Sequence, residues 1–261
     1  MQRIILVTSC KGGVGKSTVS ANLAMSLSAR GKKVVLIDMD LGNRSLDLIL
    51  GCEDRMVYDI ADVCSGRVEP RSAMIDFESP RSFSFIGAPF MYEDNITKEA
   101  LSDTLKKIKE ETGADYIILD TSGGADISVE LCASVADEGI IVSSQNPASV
   151  RAAAKSASLL DFYGVGEVML VINSMDMDAK DLYGAIEIID ASAVRLIGIV
   201  PKDPKIESLA YDGKLSFERK RVISTAAFKN IAARIDGEKV RLLDKVKGIS
   251  SRRRRQILSG R

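Results

Sequence analysis

Apolar and polar positions along this chain follow two rhythms. Short runs rich in Val, Ile and Leu fall near residues 3–8, 33–38, 83–87, 115–120, 138–143, 167–173 and 194–199. Their length and β-branching predict strands. Between them, apolar side chains recur every three or four residues. That spacing predicts helices near 16–30, 45–50, 57–64, 97–111, 125–135, 147–163, 179–190, 204–211 and 221–245. The strand runs are continuously apolar rather than alternating, as expected for burial on both faces. The expected fold is therefore α/β, a mostly parallel, twisted sheet of about seven or eight strands with helices on both faces. Right-handed crossovers put the loops that follow the strands on one edge of such a sheet, where ligands bind.

One loop on that edge carries specific chemistry. Ile4-Ile5-Leu6-Val7 leads into Cys10-Lys11-Gly12-Gly13-Val14-Gly15-Lys16-Ser17-Thr18, which opens the first predicted helix. Strand, glycine-rich loop and helix start are the context a phosphate-binding loop needs: backbone N–H groups cradle a polyphosphate at the positive end of a helix. Here Gly12, Gly13 and Gly15 free the backbone to turn inward. Lys16 reaches the β- and γ-phosphates, and the Ser17 hydroxyl completes the coordination of Mg²⁺. Asp120, closing the run Tyr116-Ile117-Ile118-Leu119, is placed like a metal-holding carboxylate, with a helix N-cap or strand-end carboxylate as the plainer reading. The chain is thus read as a P-loop NTPase domain using ATP and Mg²⁺. No Asn-Lys-x-Asp guanine reader is present, which favours ATP over GTP.

The loop has a second lysine, Lys11, before the Gly-Gly pair, and Cys10 where the usual motif begins with glycine. This deviant Walker A form, together with Val35–Asp47, Gly51-Cys52-Glu53, Val57-Tyr58-Asp59 and Tyr116–Asp120, resembles the MinD/ParA family of P-loop ATPases. The resemblance spans about residues 1–235 and is nearer the MinD subgroup than the ParA one. It implies that Lys11 acts across a homodimer interface on the partner's phosphates, and that Asp40 places the attacking water. Asp38 would contact Mg²⁺ or its water shell, and the N–H near Gly124 would sense the γ-phosphate. Asn173 would hydrogen-bond the adenine edge, and the Pro201–Asp203 loop would pack along the base. Plainer readings stand beside these. Asp38 and Asp40 could cap the short helix after Ser45, Asn173 could form a turn, and Lys11 could be a solvated loop lysine. Where the family usually has Pro-Ala-Gly, this chain has Ser122-Gly123-Gly124, which implies a looser switch.

The resemblance further implies an ATP-dependent dimerising switch, slow alone and accelerated by a protein partner, that associates with a membrane surface and helps place the division septum. A partition ATPase binding DNA without sequence preference, or a regulator of polarity or flagellar number, are the alternatives. Charge distribution bears on that choice. The 261 residues balance 36 basic against 36 acidic side chains, yet residues 239–261 hold nine Lys/Arg against Asp244 alone. We expect one ATPase domain over residues 1–247 and a basic tail over 248–261. In the tail, Ile249–Arg261, the run Arg252–Arg255 with Ile249, Ile257 and Leu258 would engage an anionic membrane surface. DNA is the less favoured target, and few aromatics are available to stack on the bases of a single strand.

The absence of histidine excludes imidazole catalysis and His-ligated metals. Cys10, Cys52, Cys64 and Cys132 form no C-x-x-C pair, which fits a reduced cytosolic protein and argues against a cluster-holding relative. With no signal-like N-terminus and only strand-length apolar runs, the expected location is cytoplasmic, peripherally membrane-associated on the inner face in the ATP state.

Overall fold

In the computed structural model, residues 3–78, 82–91, 96–179 and 182–243 are described. Eight strands form one sheet: β1 (Arg3–Thr8), β2 (Val34–Met39), β3 (Ile75–Asp76), β4 (Ser84–Ile86), β5 (Tyr116–Thr121), β6 (Glu138–Ser143), β7 (Glu167–Met175) and β8 (Arg195–Pro201). The spatial order is β3-β4-β2-β5-β1-β6-β7-β8. Every pairing is parallel except β3 with β4. β1 lies between β5 and β6, where the winding reverses, so its following loop opens into the crevice of the switch point.

The ten α-helices among the described residues are α1 (Lys16–Ser28), α2 (Leu46–Leu50), α3 (Ile60–Cys64), α4 (Pro70–Ala73), α5 (Lys98–Thr112), α6 (Ile127–Ala133), α7 (Pro147–Phe162), α8 (Ala185–Ser192), α9 (Pro204–Tyr211) and α10 (Ser224–Ile235). Their starts are written locally. Thr97, Asp126, Asn146 and Asp203 accept backbone N–H groups of the first turns of α5, α6, α7 and α9. Pro147 and Pro204 stand where a missing N–H costs nothing. Helix α1 is different, being buried almost all round. Its small polar residues Ser20, Asn22 and Ser26 allow close packing and are each hydrogen-bonded.

The seven expected strands are all present, each within a residue or two of its expected bounds. The two-residue antiparallel β3 and the Pro70-led α4 escaped the pattern because neither is long enough to show a period. Three boundaries move. β2 and β5 run one residue past Asp38 and Asp120, to Met39 and Thr121, and β8 runs on through Pro201. Asn173 lies inside β7, which continues past an irregularity to Met175. The expected helix over 221–245 stops at Ile235 because the chain takes a left-handed turn at Gly237 (φ 89°), after which Leu242 and Leu243 return to the core; residues 244–245 lie outside the described part. Likewise α8 starts only at Ala185, with residues 180–181 of the expected helix outside the described part.

One contact between helix ends is unusual. Gly51 (φ 63°), after α2, and Gly213 (φ 61°), after α9, meet backbone to backbone. A Cβ on Gly213 would fall 2.6 Å from the Cα of Gly51. Among the described residues no helix is long and apolar enough to cross a membrane.

Candidate nucleotide site

The loop between β1 and α1 stands at the crevice. Its end, Gly15, takes a left-handed conformation (φ 85°), and α1 begins at Lys16 with no side-chain cap. The first N–H groups of α1 therefore have no intrahelical acceptor and no capping oxygen, the arrangement that favours an anion. Gly12 and Gly13 are exposed, Val14 is buried, and Lys16 is buried despite its charge (7% exposed). Two hydroxyls pin the loop's first half: Ser156 of α7 accepts the N–H of Cys10 at 2.9 Å, and Ser9 accepts that of Lys11 at 3.3 Å. Lys11 itself is half-exposed.

Two carboxylates stand beside this loop. The register of β2 with β5 pairs Asp38 with Asp120, on the face under α1. Both are fully buried. Asp38 accepts three backbone N–H groups, from Asp40 at 2.9 Å, Ser45 at 3.2 Å and Leu46 at 3.1 Å, so it does hold the start of α2. Even so, burial and then the neighbouring Asp120 push its carboxyl up to about 7. Asp120 takes the Ser20 hydroxyl at 2.6 Å on one oxygen, while its other oxygen is buried without a hydrogen bond among the described residues. Burial raises it to about 6, moderated by the Ser20 and Ser17 hydroxyls and by Lys16. A desolvated acid pair with one unfilled oxygen, next to a lysine and the Ser17 hydroxyl, is a donor set suited to a small hard cation.

Asp40 is half-exposed, with Asn43 3.3 Å from its carboxylate. Ser17 and Ser45 meet at 3.0 Å, joining the phosphate loop's helix to α2. On the far side, Ser122-Gly123-Gly124 follows β5 and is tied by Asp126, which accepts the Ser122 and Ser128 hydroxyls and caps α6. Gly123 touches the phosphate loop: a Cβ there would lie 2.6 Å from the Cα of Gly12. The expected looser switch is thus, at Gly123, a tightly packed one. Only a residue without a Cβ allows this approach.

A cavity of about 290 Å³ adjoins the loop, lined by Gly13, Gly15, Thr18, Asn173, Pro201 and Asp203 among others. Asn173 donates to the Val14 carbonyl at 2.8 Å, and a Cβ on Gly15 would strike its side-chain nitrogen at 2.3 Å. Asp203 is buried and accepts N–H groups from Lys205 (3.1 Å), Ile223 (2.7 Å) and Ser224 (3.3 Å), which places it as a fastener of α9 and α10 at the cavity wall. The structure brings every residue expected at the site to the β1 loop, the carboxylate pair or this cavity, except Asp40 and Gly124, which lie on the loops around them, and Ser17, which lies in the first turn of α1. Sequence reading missed Ser20, Ser45 and Ser156, whose helical hydroxyls look like any others until the helices are packed. It also missed Phe228 and Glu207 on the cavity wall.

Fold and site together define a P-loop nucleoside-triphosphatase. The family model described as ParA, NUBPL iron-transfer P-loop NTPase, matches residues 1–236. The septum site-determining protein MinD of Synechocystis sp. is 37% identical over 268 residues, covering 100% of both chains. The MinC:MinD cell division protein complex of Aquifex aeolicus superposes with a TM-score of 0.85 at 32% identity, covering 92% of this chain and 98% of that one. MinD of Pyrococcus horikoshii complexed with Mg-ADP, at 24% identity and a TM-score of 0.81 over 91% and 97% of the chains, shares the fold. The chain belongs to the ParA/MinD family of P-loop ATPases and, within it, resembles the MinD proteins of septum-site determination.

Proposed function

We propose that this protein is an ATP-dependent dimerising switch that associates with an anionic membrane surface and takes part in placing the division septum. The observation that carries this reading is the lysine-bearing loop, Lys11 to Thr18, set against the buried Asp38–Asp120 pair in a chain similar to MinD over its whole length. In this reading the N–H groups of Gly12–Thr18 and the Lys16 ammonium hold the β- and γ-phosphates. Ser17, Asp120 and Asp38 are the residues that would hold Mg²⁺, which supplies neutralisation of phosphate charge when bound. Asp40, half-exposed at the loop after β2, orients the attacking water. Gly124 offers its N–H to the γ-phosphate, and Asn173, Pro201 and Asp203 form the wall that receives the adenine.

Lys11 has no phosphate of its own to serve, because Lys16 already serves it. Half-exposed at the mouth, it is free to cross to a second copy, so that each site is completed by the other subunit's lysine. Hydrolysis then separates the pair. Membrane engagement belongs to the basic tail over residues 248–261, which lies outside the described residues. A partner protein that accelerates hydrolysis would set how long the dimer lasts, and the resting chain would be cytoplasmic. The test is co-sedimentation with anionic vesicles and, separately, with duplex DNA, in ATP, ADP and no nucleotide. Vesicle binding that requires ATP is expected. Binding to DNA alone would overturn the membrane reading in favour of partition.

A further inference from the structure

The edge of the sheet opposite the phosphate loop holds a second, larger cavity of about 780 Å³. It lies at the feet of β1, β7 and β8 and under the end of α10, and its charged lining is Arg3, Arg195, Arg234, Lys239 and Arg241 with Glu167 and Glu238. The acids at this end already have cations. Glu138 pairs with Arg3, Glu167 with Arg195, Glu238 with Arg30, and Asp236 with Arg30 and Lys32. Arg234, Lys239 and Arg241 have no carboxylate partner among the described residues.

Arg234 is held for another purpose. It donates to the Val240 carbonyl at 2.8 Å and, more weakly, to that of Ile197 at 3.5 Å. With five N–H groups on a guanidinium, those bonds leave at least one N–H on each terminal nitrogen for a further acceptor. Burial, and then the neighbouring Arg195, lower its proton affinity from the ordinary arginine value. The same bonds fix the segment that follows. Val240 is pinned by Arg234, and Leu243 is buried in the core, so Arg241 stands exposed at the rim on an anchored stretch.

We propose that this cavity is an anion site that takes the phosphodiester of an anionic glycerophospholipid headgroup, through Arg234 at its base and Lys239 and Arg241 at its rim. A guanidinium with a free N–H on each terminal nitrogen can donate to phosphate oxygens, and flanking cations add charge without demanding geometry. The choice of a lipid as the source of the phosphate rests on the membrane reading above, and on where the site sits in the chain. Arg241 precedes the tail's first expected surface residue, Ile249, by eight positions, so that at most about 28 Å of extended chain separates the two. Tail and cavity can reach one surface. A tail alone contributes charge and two or three aliphatic side chains; a body-borne site gives the domain a fixed orientation on the bilayer.

The test uses the full chain with ATP, sedimented with vesicles of phosphatidylcholine alone or mixed with phosphatidylglycerol, comparing wild type with the double variant Lys239→Gln/Arg241→Gln. Each lost cation is expected to reduce vesicle affinity about fivefold, so about 25-fold together. ATPase turnover without vesicles should be unchanged. In parallel, glycerophosphoglycerol and inorganic phosphate are titrated into protein saturated with Mg-ADP, which keeps the phosphate loop occupied. The headgroup should bind wild type and not the variant. Arg234→Gln should lose headgroup binding and Arg234→Lys should recover part of it. Unchanged sedimentation of the double variant overturns the site while leaving the membrane reading intact. Wild type that ignores anionic vesicles in every nucleotide state overturns the membrane reading, and the lipid assignment with it. Inorganic phosphate binding as tightly as the headgroup, or a loss confined to duplex DNA binding, overturns the lipid assignment alone.

Discussion

Replacing Asp120 with Asn should make the nucleotide-free protein more stable while removing its use for a cation. Asp120 has one oxygen on the Ser20 hydroxyl and one with no hydrogen bond, in a fully buried place beside Asp38. Its folded-state carboxyl is raised from 3.8 to about 6, so the folded chain binds the proton more tightly than the unfolded one. The sign follows from linkage: stability from this group is fully present below pH 3.8 and is lost as pH rises through 6. At about 1.4 kcal/mol for each tenfold change, the loss above pH 6 is on the order of 3 kcal/mol. An amide keeps the acceptor for Ser20 and offers an N–H donor in place of the unpartnered oxygen. Asp120→Asn should therefore match wild type in urea unfolding near pH 4 and exceed it by about 2–3 kcal/mol at pH 8, in the absence of nucleotide. Mg-ATP should then stabilise wild type strongly and the variant little. A variant less stable than wild type at pH 8, or a gap that does not close on acidification, would refute the electrostatic account of the pair.

Three further outcomes follow from the same geometry. Gly123→Ala puts a methyl 2.6 Å from the Gly12 Cα, so the phosphate loop must shift; ATP affinity should fall at least tenfold in equilibrium titration, with the unfolding midpoint little changed. Ser156→Ala removes the acceptor for the Cys10 N–H, which should cost about 1–3 kcal/mol of stability in denaturant titration, and Ser156→Thr should restore much of it. Lys11→Ala should bind nucleotide normally, because Lys16 remains, but stay monomeric with ATP in sizing experiments. Normal dimerisation and turnover would remove the trans-acting role.

What could be read along the chain divides by the range of the interaction. The phosphate loop was legible because its function is written in consecutive residues whose backbone does the binding. The strands were legible because burial on both faces leaves a continuous apolar run. Asp38 and Asp120 were each identifiable, but their adjacency depends on β2 pairing with β5, across some eighty residues of intervening chain. Ser20 and Ser156 belong to the same class: a hydroxyl in a helix has no signature until the opposite wall is placed. Asn173 could be expected at the adenine edge or in a turn at the end of its strand; β7 runs on through it to Met175. The overlong final helix had a visible stop, Gly237, that apolar spacing alone passed over. The basic cavity at the strand feet was hidden for the opposite reason, since the stretch from Arg234 to Arg241 meets residues of three other stretches, at the starts of β1, β7 and β8.

The meeting of Gly51 with Gly213 has a mechanical meaning. Helix α2 starts on the Asp38 carboxylate at the phosphate end of the crevice, and α9 starts on Asp203 at the cavity that lies beyond Asn173. Their far ends touch main chain to main chain, with no side chain between them whose rotamer could absorb a displacement. Such a joint behaves as a hard stop rather than a cushion. A displacement of α2 at that end could not be absorbed by side-chain repacking there, so the two helices are coupled sterically through this joint.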